Sequence, residues 1–186
     1  MSSLVDFMNA MCAELLKAVK GIELSTENGE RAVAVYPQTI PSSIRKNRDR
    51  RVPGDDTPYP YIIVRLLTGS TASPSTAAQV DGVLVLGVKD DNSDDAWKDL
   101  LNLIERVRLH LERTRFLNGE FIPFIEEPWR WEIPLEQGVN AMEGYLFFKY
   151  YVGRVFPEVD FDGREFHNNE RKTDGGYRIG TNAETD

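Results

Sequence analysis

Cysteine is almost absent from this chain, in which Cys12 is the only one among 186 residues. A single thiol forms no internal disulfide, and a cysteine-based zinc site needs several thiols. Long apolar runs are also missing, since no stretch approaches the roughly 18–20 residues that cross a bilayer. The N-terminus carries Asp6 and Glu14 within its first apolar stretch and lacks the pattern of a signal peptide. We therefore expect a globular cytosolic protein with no membrane association.

Catalytic signatures are scarce as well. The chain has two histidines, His110 and His167, and none of the patterns of a serine hydrolase, a zinc protease or a phosphate-binding loop. His110 begins a His-Leu-Glu sequence, which is half of the deaminase signature, but the other half needs two cysteines. Cys12 lies beside apolar positions of the first predicted helix, which favours an inert buried thiol. We predict a protein that is not an enzyme and binds no cofactor.

The acidic run 90–95 starts like a calcium-binding loop. Such a loop needs glycine at its sixth position and glutamate at its twelfth, and these positions hold Asp95 and Leu101. The run is better explained as the start of a helix, capped by Asn92 or Ser93.

A second acidic group comprises Asp160, Asp162 and Glu165. These carboxylates could hold a divalent cation weakly, but they lie in a polar segment with no core to fix their geometry. We therefore predict no metal site. A metal-dependent hydrolase or nuclease that uses these three residues is the alternative from a different functional class.

The overall charge limits the choice of partners. The chain has 30 acidic and 22 basic residues, which gives a formal net charge of -8. This excess disfavours general affinity for nucleic acid, although a local basic patch could still touch it. Hydrophobic residues make up 41% of the chain, enough for a packed core.

Hydrophobic periodicity predicts two helices and several strands. The helices cover 3–20, capped by Ser2 or Ser3, and about 93–115, with Trp97 in the buried stripe. The strands cover 31–36, 59–68, 78–89 and 141–153, with hairpin-like segments around 121–125 and 129–133. This order predicts an α+β fold: a small, mostly antiparallel β-sheet with two main α-helices packed on one face, a long loop after the first strand, and an extended acidic C-terminal tail.

The last predicted strand carries large apolar side chains on both faces. Tyr145 and Phe147 point one way, whereas Leu146, Phe148 and Tyr150 point the other way. Because helices are expected on one face only, the aromatic residues of the second face need a cover. That cover is predicted to be the C-terminal tail or a neighbouring subunit.

Composition divides the chain into a domain over 1–153 and a polar extension over 154–186. Residues 156–186 contain eight acids and four bases, a net charge of -4, with few aliphatic side chains. This composition is typical of a tail that is disordered alone or becomes ordered on a partner.

A basic loop and a pair of tryptophans are the features that suggest contacts with other proteins. Five cations fall within residues 45–51, and this segment is either a solvated loop or a surface for an acidic partner such as the next copy. Trp129 and Trp131 lie two residues apart near the predicted hairpin. The side chains predicted to contact partners are Arg45, Arg48, Arg50, Arg51, Trp129 and Trp131.

The order of several segments resembles one known family. These segments are the N-terminal helix, the basic loop, the aromatic last strand, and the sequences of residues 58–65 (PYPYIIVR), 80–88 (VDGVLVLGV), 97–107 (WKDLLNLIERV) and 129–132 (WRWE). Together they resemble the tail-terminator, or tail-completion, proteins of tailed bacteriophages and prophages. The resemblance covers about residues 1–153 and is one of layout, not of a catalytic signature.

The resemblance implies a structural protein of the virion, assembled in the host cytoplasm. Its copies would form a ring, usually of six subunits, on the head-proximal end of the finished tail tube. The ring would stop tube polymerisation and offer a surface to head-tail connector or neck proteins. It implies no catalysis and no cofactor, and DNA would pass through the ring without specific binding, which the negative charge suits. A related alternative is another head-tail joining protein. A further alternative is a regulatory or host-interaction module that acts through the acidic tail.

Overall fold

The computed structural model describes residues 3–26, 29–41, 58–71, 78–89, 95–114, 116–124, 129–137 and 141–152. Within these ranges the protein has two helices and eight strands. The helices are α1 (Leu4–Ala18) and α2 (Ala96–Arg113). The strands are β1 (Glu23–Thr26), β2 (Gly29–Ala32), β3 (Ala34–Pro37), β4 (Tyr61–Ser70), β5 (Ala78–Lys89), β6 (Ile122–Pro123), β7 (Arg130–Glu132) and β8 (Ala141–Val152). The predicted α+β class is confirmed. The predicted tail over 154–186 lies outside the described residues.

The main sheet has six strands in the order β3-β4-β5-β8-β6, and β7 also pairs with β8. β3 runs parallel to β4, and the other pairings are antiparallel. β1 and β2 form a separate antiparallel pair. The prediction of a single strand over 31–36 was wrong, because these residues divide between β2 and β3. Val33, which is buried, lies between β2, which pairs with β1, and β3, which pairs with β4.

Helix α1 begins with a capping box. Ser3 Oγ accepts a hydrogen bond from the backbone N–H of Asp6 (3.1 Å), and the Asp6 carboxylate accepts one from the Ser3 N–H (2.9 Å). These bonds satisfy backbone donors that a helix end leaves without partners. The prediction that Ser2 or Ser3 caps this helix is confirmed, with Ser3 as the cap. At the other end, Arg106 Nε of α2 donates to the carbonyl of Ala18 at 2.9 Å, which joins the two helices.

One prediction about the buried face of helix α2 was wrong. Trp97 is 46% exposed, whereas its neighbour Ala96 is buried. Successive helical residues are about 100° apart around the axis, and the stripe through Leu100 and Val107 leaves Trp97 at its margin. Asp95 is the N-cap but makes no capping bond through its side chain. The predicted caps Asn92 and Ser93 lie outside the described residues.

Both helices pack against the same face of the sheet. Phe7 of α1 lies with its ring centroid 5.2 Å from that of Phe121 and 5.4 Å from that of Tyr150. Gly144 allows α2 to approach β8 closely, because a Cβ there would lie 2.9 Å from Ile104 Cδ1. This face holds the larger of the two apolar clusters.

The opposite face carries a smaller apolar group, called here the second-face cluster. Its buried members are Tyr61, Ile63, Val83 and Val85, and its partly buried members are Tyr36, Ile40, Tyr59, Tyr145 and Phe147. On β8, residues alternate between buried and partly buried, which confirms the predicted division of its side chains between two faces. Neither described helix packs on the second-face cluster.

Candidate functional site

The two predicted contact tryptophans flank Arg130 on and beside the short strand β7. Trp131 is 52% exposed, whereas Trp129 is partly buried and packs edge-on against Tyr150, with ring centroids 6.3 Å apart. Trp129 therefore contributes to the core and Trp131 to the surface. The predicted contact residues Arg45, Arg48, Arg50 and Arg51 lie outside the described residues, so their role stays a prediction.

The outer edge of β8 is closed by four successive contacts. β6 pairs with Tyr151 and Tyr150, and the N–H of Phe124 donates to the carbonyl of Lys149 at 2.9 Å. β7 pairs with residues 145–147. The side chain of Gln137 completes the edge, and its bonds resemble those of a peptide group.

The Gln137 amide satisfies both backbone groups of Glu143. Its Oε1 accepts from the Glu143 N–H at 2.8 Å, and its Nε2 donates to the Glu143 carbonyl at 3.1 Å and to the Pro134 carbonyl at 2.7 Å. A strand added to this side of β8 would therefore have to displace existing hydrogen bonds.

Within the described part of the chain, the edge of β4 is open over its second half. β3 pairs only with residues 61–64, and the Gln38 N–H donates to the Val64 carbonyl at 2.8 Å. Among the described residues, no strand pairs with residues 65–70 on the side away from β5. Leu67 lies in this stretch at a register shift and is 55% exposed. An unpaired strand edge is a template for another extended chain, so the two sides of this sheet differ in what they can bind.

A groove of about 570 Å³ lies where β4, β5, β7 and β8 meet the segment after β6. Ligand-binding clefts commonly have volumes of 300–1,000 Å³. The residues lining the groove are Leu67, Asp81, Gly82, Pro123, Phe124, Trp129, Arg130, Phe147, Phe148 and Lys149. We call it the Arg130 groove.

Two cations in the Arg130 groove lie over aromatic rings. The guanidinium carbon of Arg130 is 4.3 Å from the centroid of the Phe147 ring, and the ammonium of Lys149 is 5.1 Å from that of Phe124. Such contacts combine electrostatic attraction with apolar packing. The Lys149 nitrogen is also 3.6 Å from Asp81 Oδ1, an ion pair longer than a hydrogen bond.

Asp81 is held by Thr68 across the β4–β5 pairing. Thr68 Oγ1 donates to Asp81 Oδ2 at 3.0 Å. The other carboxylate oxygen is buried and has no hydrogen-bond donor among the described residues. Sequence reasoning missed this groove, because its residues come together only through strand pairings such as Asp81 opposite Lys149.

The two glycines of β5 lie where the backbone passes close to aromatic rings. A Cβ on Gly82 would overlap the ring of Phe148, and one on Gly87 would overlap the ring of Tyr61. Gly82 also lies opposite Leu66, where the β4–β5 register shifts. Both glycines therefore make room for aromatic rings.

The contacts of His110 and Cys12 indicate structural roles. His110 Nε2 lies 2.7 Å from a Glu14 carboxylate oxygen, which links α2 to α1. Partial burial alone would raise the pKa of Glu14, but hydrogen bonds from Lys17 and His110 outweigh that effect and lower it. Cys12 is partly buried against the core, and burial raises the pKa of its thiol. Neither group is placed like a catalytic nucleophile or base.

The described residues contain no group of three or more histidine, cysteine or acidic side chains that could hold a metal ion. The candidate carboxylates Asp160, Asp162 and Glu165 lie outside those residues. Neither described helix combines the length and apolar character that crossing a bilayer requires.

No known protein family and no curated protein matches the sequence of this chain.

Proposed function

We propose that this protein is a structural component of a phage virion. Copies of the chain form a ring of six that caps the head-proximal end of the tail tube, ends tube polymerisation and provides a surface for head or neck proteins. The proposal starts from the resemblance over about residues 1–153. The edges and faces of the sheet support it.

The observation that carries the proposal is the difference between the two sheet edges. No described strand pairs with the outer edge of β4 at residues 65–70, whereas β8 is closed by β6, β7 and the Gln137 side chain. The open edge of one copy therefore has to meet a different surface on its neighbour, unless two β4 edges pair. A contact between two different surfaces is heterologous, and repeated heterologous contacts close into a ring when the rotation between copies permits it.

The second-face cluster supports assembly on a separate ground. It carries large apolar side chains on a face that no described helix covers, and Tyr36, Tyr145 and Phe147 keep part of their surface exposed. Removing apolar surface from water contributes about 25 cal/mol per Å². A neighbouring subunit or the last tube layer would supply that cover.

The proposed mechanism involves no chemical step. The ring binds the last layer of the tube and covers the surface on which the next tube subunit would assemble, so that growth stops. The free side of the ring then presents a new surface to the neck proteins. The net charge of -8 suits a channel through which DNA slides, because like charges repel.

The experiment is a mass measurement by light scattering, followed by electron microscopy of the same sample. We expect annular particles with a central hole, and shorter tubes when the protein is added to polymerising tail tube protein. A strict monomer that leaves tube length unchanged would contradict the proposal. A two-fold dimer without rings would indicate that two β4 edges pair instead.

A further inference from the structure

We infer that the Arg130 groove is a docking site for an acidic, partly aromatic peptide segment of a partner protein. The site adjoins the β4 edge through Leu67 and does not depend on the ring. Its central feature is the guanidinium of Arg130, which lies over the Phe147 ring with its central carbon 4.3 Å from the ring centroid and makes no hydrogen bond or ion pair with any other described residue.

The stacking leaves Arg130 ready to bind a carboxylate. The guanidinium lies against the Phe147 ring, while its N–H donors have no partner within the described part of the chain. A planar guanidinium binds a carboxylate through two parallel hydrogen bonds. Because the stacking already restricts the side chain, less conformational entropy is lost when a ligand binds.

Among the described residues that line the groove, two are cations and one is a carboxylate. Lys149 lies over Phe124 and is paired with Asp81 at 3.6 Å. Arg130 is therefore the lining cation that has no paired carboxylate within the described part of the chain.

The apolar side chains in the walls of the groove indicate what the ligand carries besides a carboxylate. Phe124 and Trp129 provide partly exposed aromatic surface, and Leu67 continues this surface at the open end. A small free anion would leave this apolar surface in water, whereas a peptide with an aromatic residue beside its acid would cover it.

A peptide suits the groove better than a nucleic acid does. Asp81 lies within the groove, and Glu132 projects from the same face of β7 as Arg130. Both carboxylates would repel a run of phosphates, as would the net charge of the chain. A single carboxylate docked on Arg130 avoids most of this repulsion.

The test is fluorescence anisotropy with the full chain and a labelled peptide of alternating aspartate and phenylalanine. We expect saturable binding that weakens at least about tenfold when asparagine replaces aspartate in the peptide, because charge-assisted bidentate bonds are lost. Arg130→Gln should weaken binding by a similar factor. Arg130→Lys should also weaken it, because lysine keeps the charge but lacks the planar fork.

Arg113→Gln is the matched control, since Arg113 is exposed on α2 and does not line the groove. It should bind the peptide like the unchanged chain. Equal binding by Arg130→Gln, or equal binding of the asparagine peptide, would overturn the inference. If a short oligothymidylate binds more tightly than the peptide, the ligand is a nucleic acid and the inference fails. If Arg130→Gln breaks the ring and leaves peptide binding unchanged, the groove belongs to the contact between copies and the inference fails.

Discussion

Gly82 of β5 is the position where one added methyl group should have the clearest effect on stability. A Cβ at this position would overlap the ring of Phe148 and lie 2.8 Å from the Arg65 carbonyl oxygen. Phe148 is buried, so its ring has little room to move. Overpacking of this kind typically costs about 1–3 kcal/mol. Alanine is better than glycine in a strand by about 0.5–1 kcal/mol, so Gly82→Ala should lower the free energy of unfolding by a net amount of about 1 kcal/mol.

Gly69 of β4 provides a matched control. The nearest atom to a Cβ at Gly69 would be the Gln79 carbonyl oxygen at 3.5 Å, which is an ordinary contact. Gly69→Ala should therefore be neutral or stabilising by about 0.5 kcal/mol. Urea titrations followed by tryptophan fluorescence measure both variants. Equal stability of the two variants would refute the reasoning.

A second substitution separates the two contacts at Gly82. Replacing Phe148 by leucine removes the ring but not the Arg65 carbonyl. In that background, Gly82→Ala should cost less than in the unchanged chain, with an interaction energy of at least about 0.5 kcal/mol. An additive double variant would show that the backbone contact, not the ring, sets the cost.

Three other features can be tested by direct measurement. The folded-state pKa of Glu14 is held below its usual 4.5, so its stabilising contacts with Lys17 and His110 are present above about pH 4.5 and are lost as the pH falls through the folded-state pKa. Glu14→Gln should flatten the acid side of the stability profile, and parallel profiles would contradict this. In urea titrations, Trp129→Ala should lower the free energy of unfolding by about 1–3 kcal/mol and Trp131→Ala by less than about 0.5 kcal/mol. Equal costs would contradict the assignment of Trp129 to the core and Trp131 to the surface. Leu67→Lys should lower the mass measured by light scattering without changing the circular dichroism spectrum, because lysine blunts an open strand edge; an unchanged mass would exclude that edge from assembly.

Local patterns predicted the elements whose side chains alternate in hydrophobicity. The division of β8 into two faces followed from a period of two residues, and the start of α1 followed from Ser3 and the residues after it. The bounds of β5 were also predicted as they are observed. These features depend on neighbours in the sequence, so one sequence is enough to find them.

The β1–β2 pair was missed because it buries little. Most of its side chains are exposed or partly exposed, so the hydrophobic pattern gives no signal. The dipeptide Asn28-Gly29 was the available signal, since it favours a tight turn between two strands. The backbone φ of +100° at Gly29 fits the same explanation.

The Arg130 groove was beyond the reach of sequence patterns. Its residues come from five separate segments, and their proximity depends on register. Asp81 meets Lys149 because β5 and β8 pair in one particular alignment. Arg130 reaches Phe147 because β7 joins β8 opposite that ring. No local propensity encodes these distances.

The side chain of Gln137 has a consequence for how this protein meets others of its kind. By imitating the peptide group of an absent strand, it ends the sheet on one side. A strand edge whose backbone groups are already bonded resists pairing with another chain, and so resists the open-ended addition of strands that builds fibrils. Together with β6 and β7, one side-chain amide thus protects this edge from aggregation.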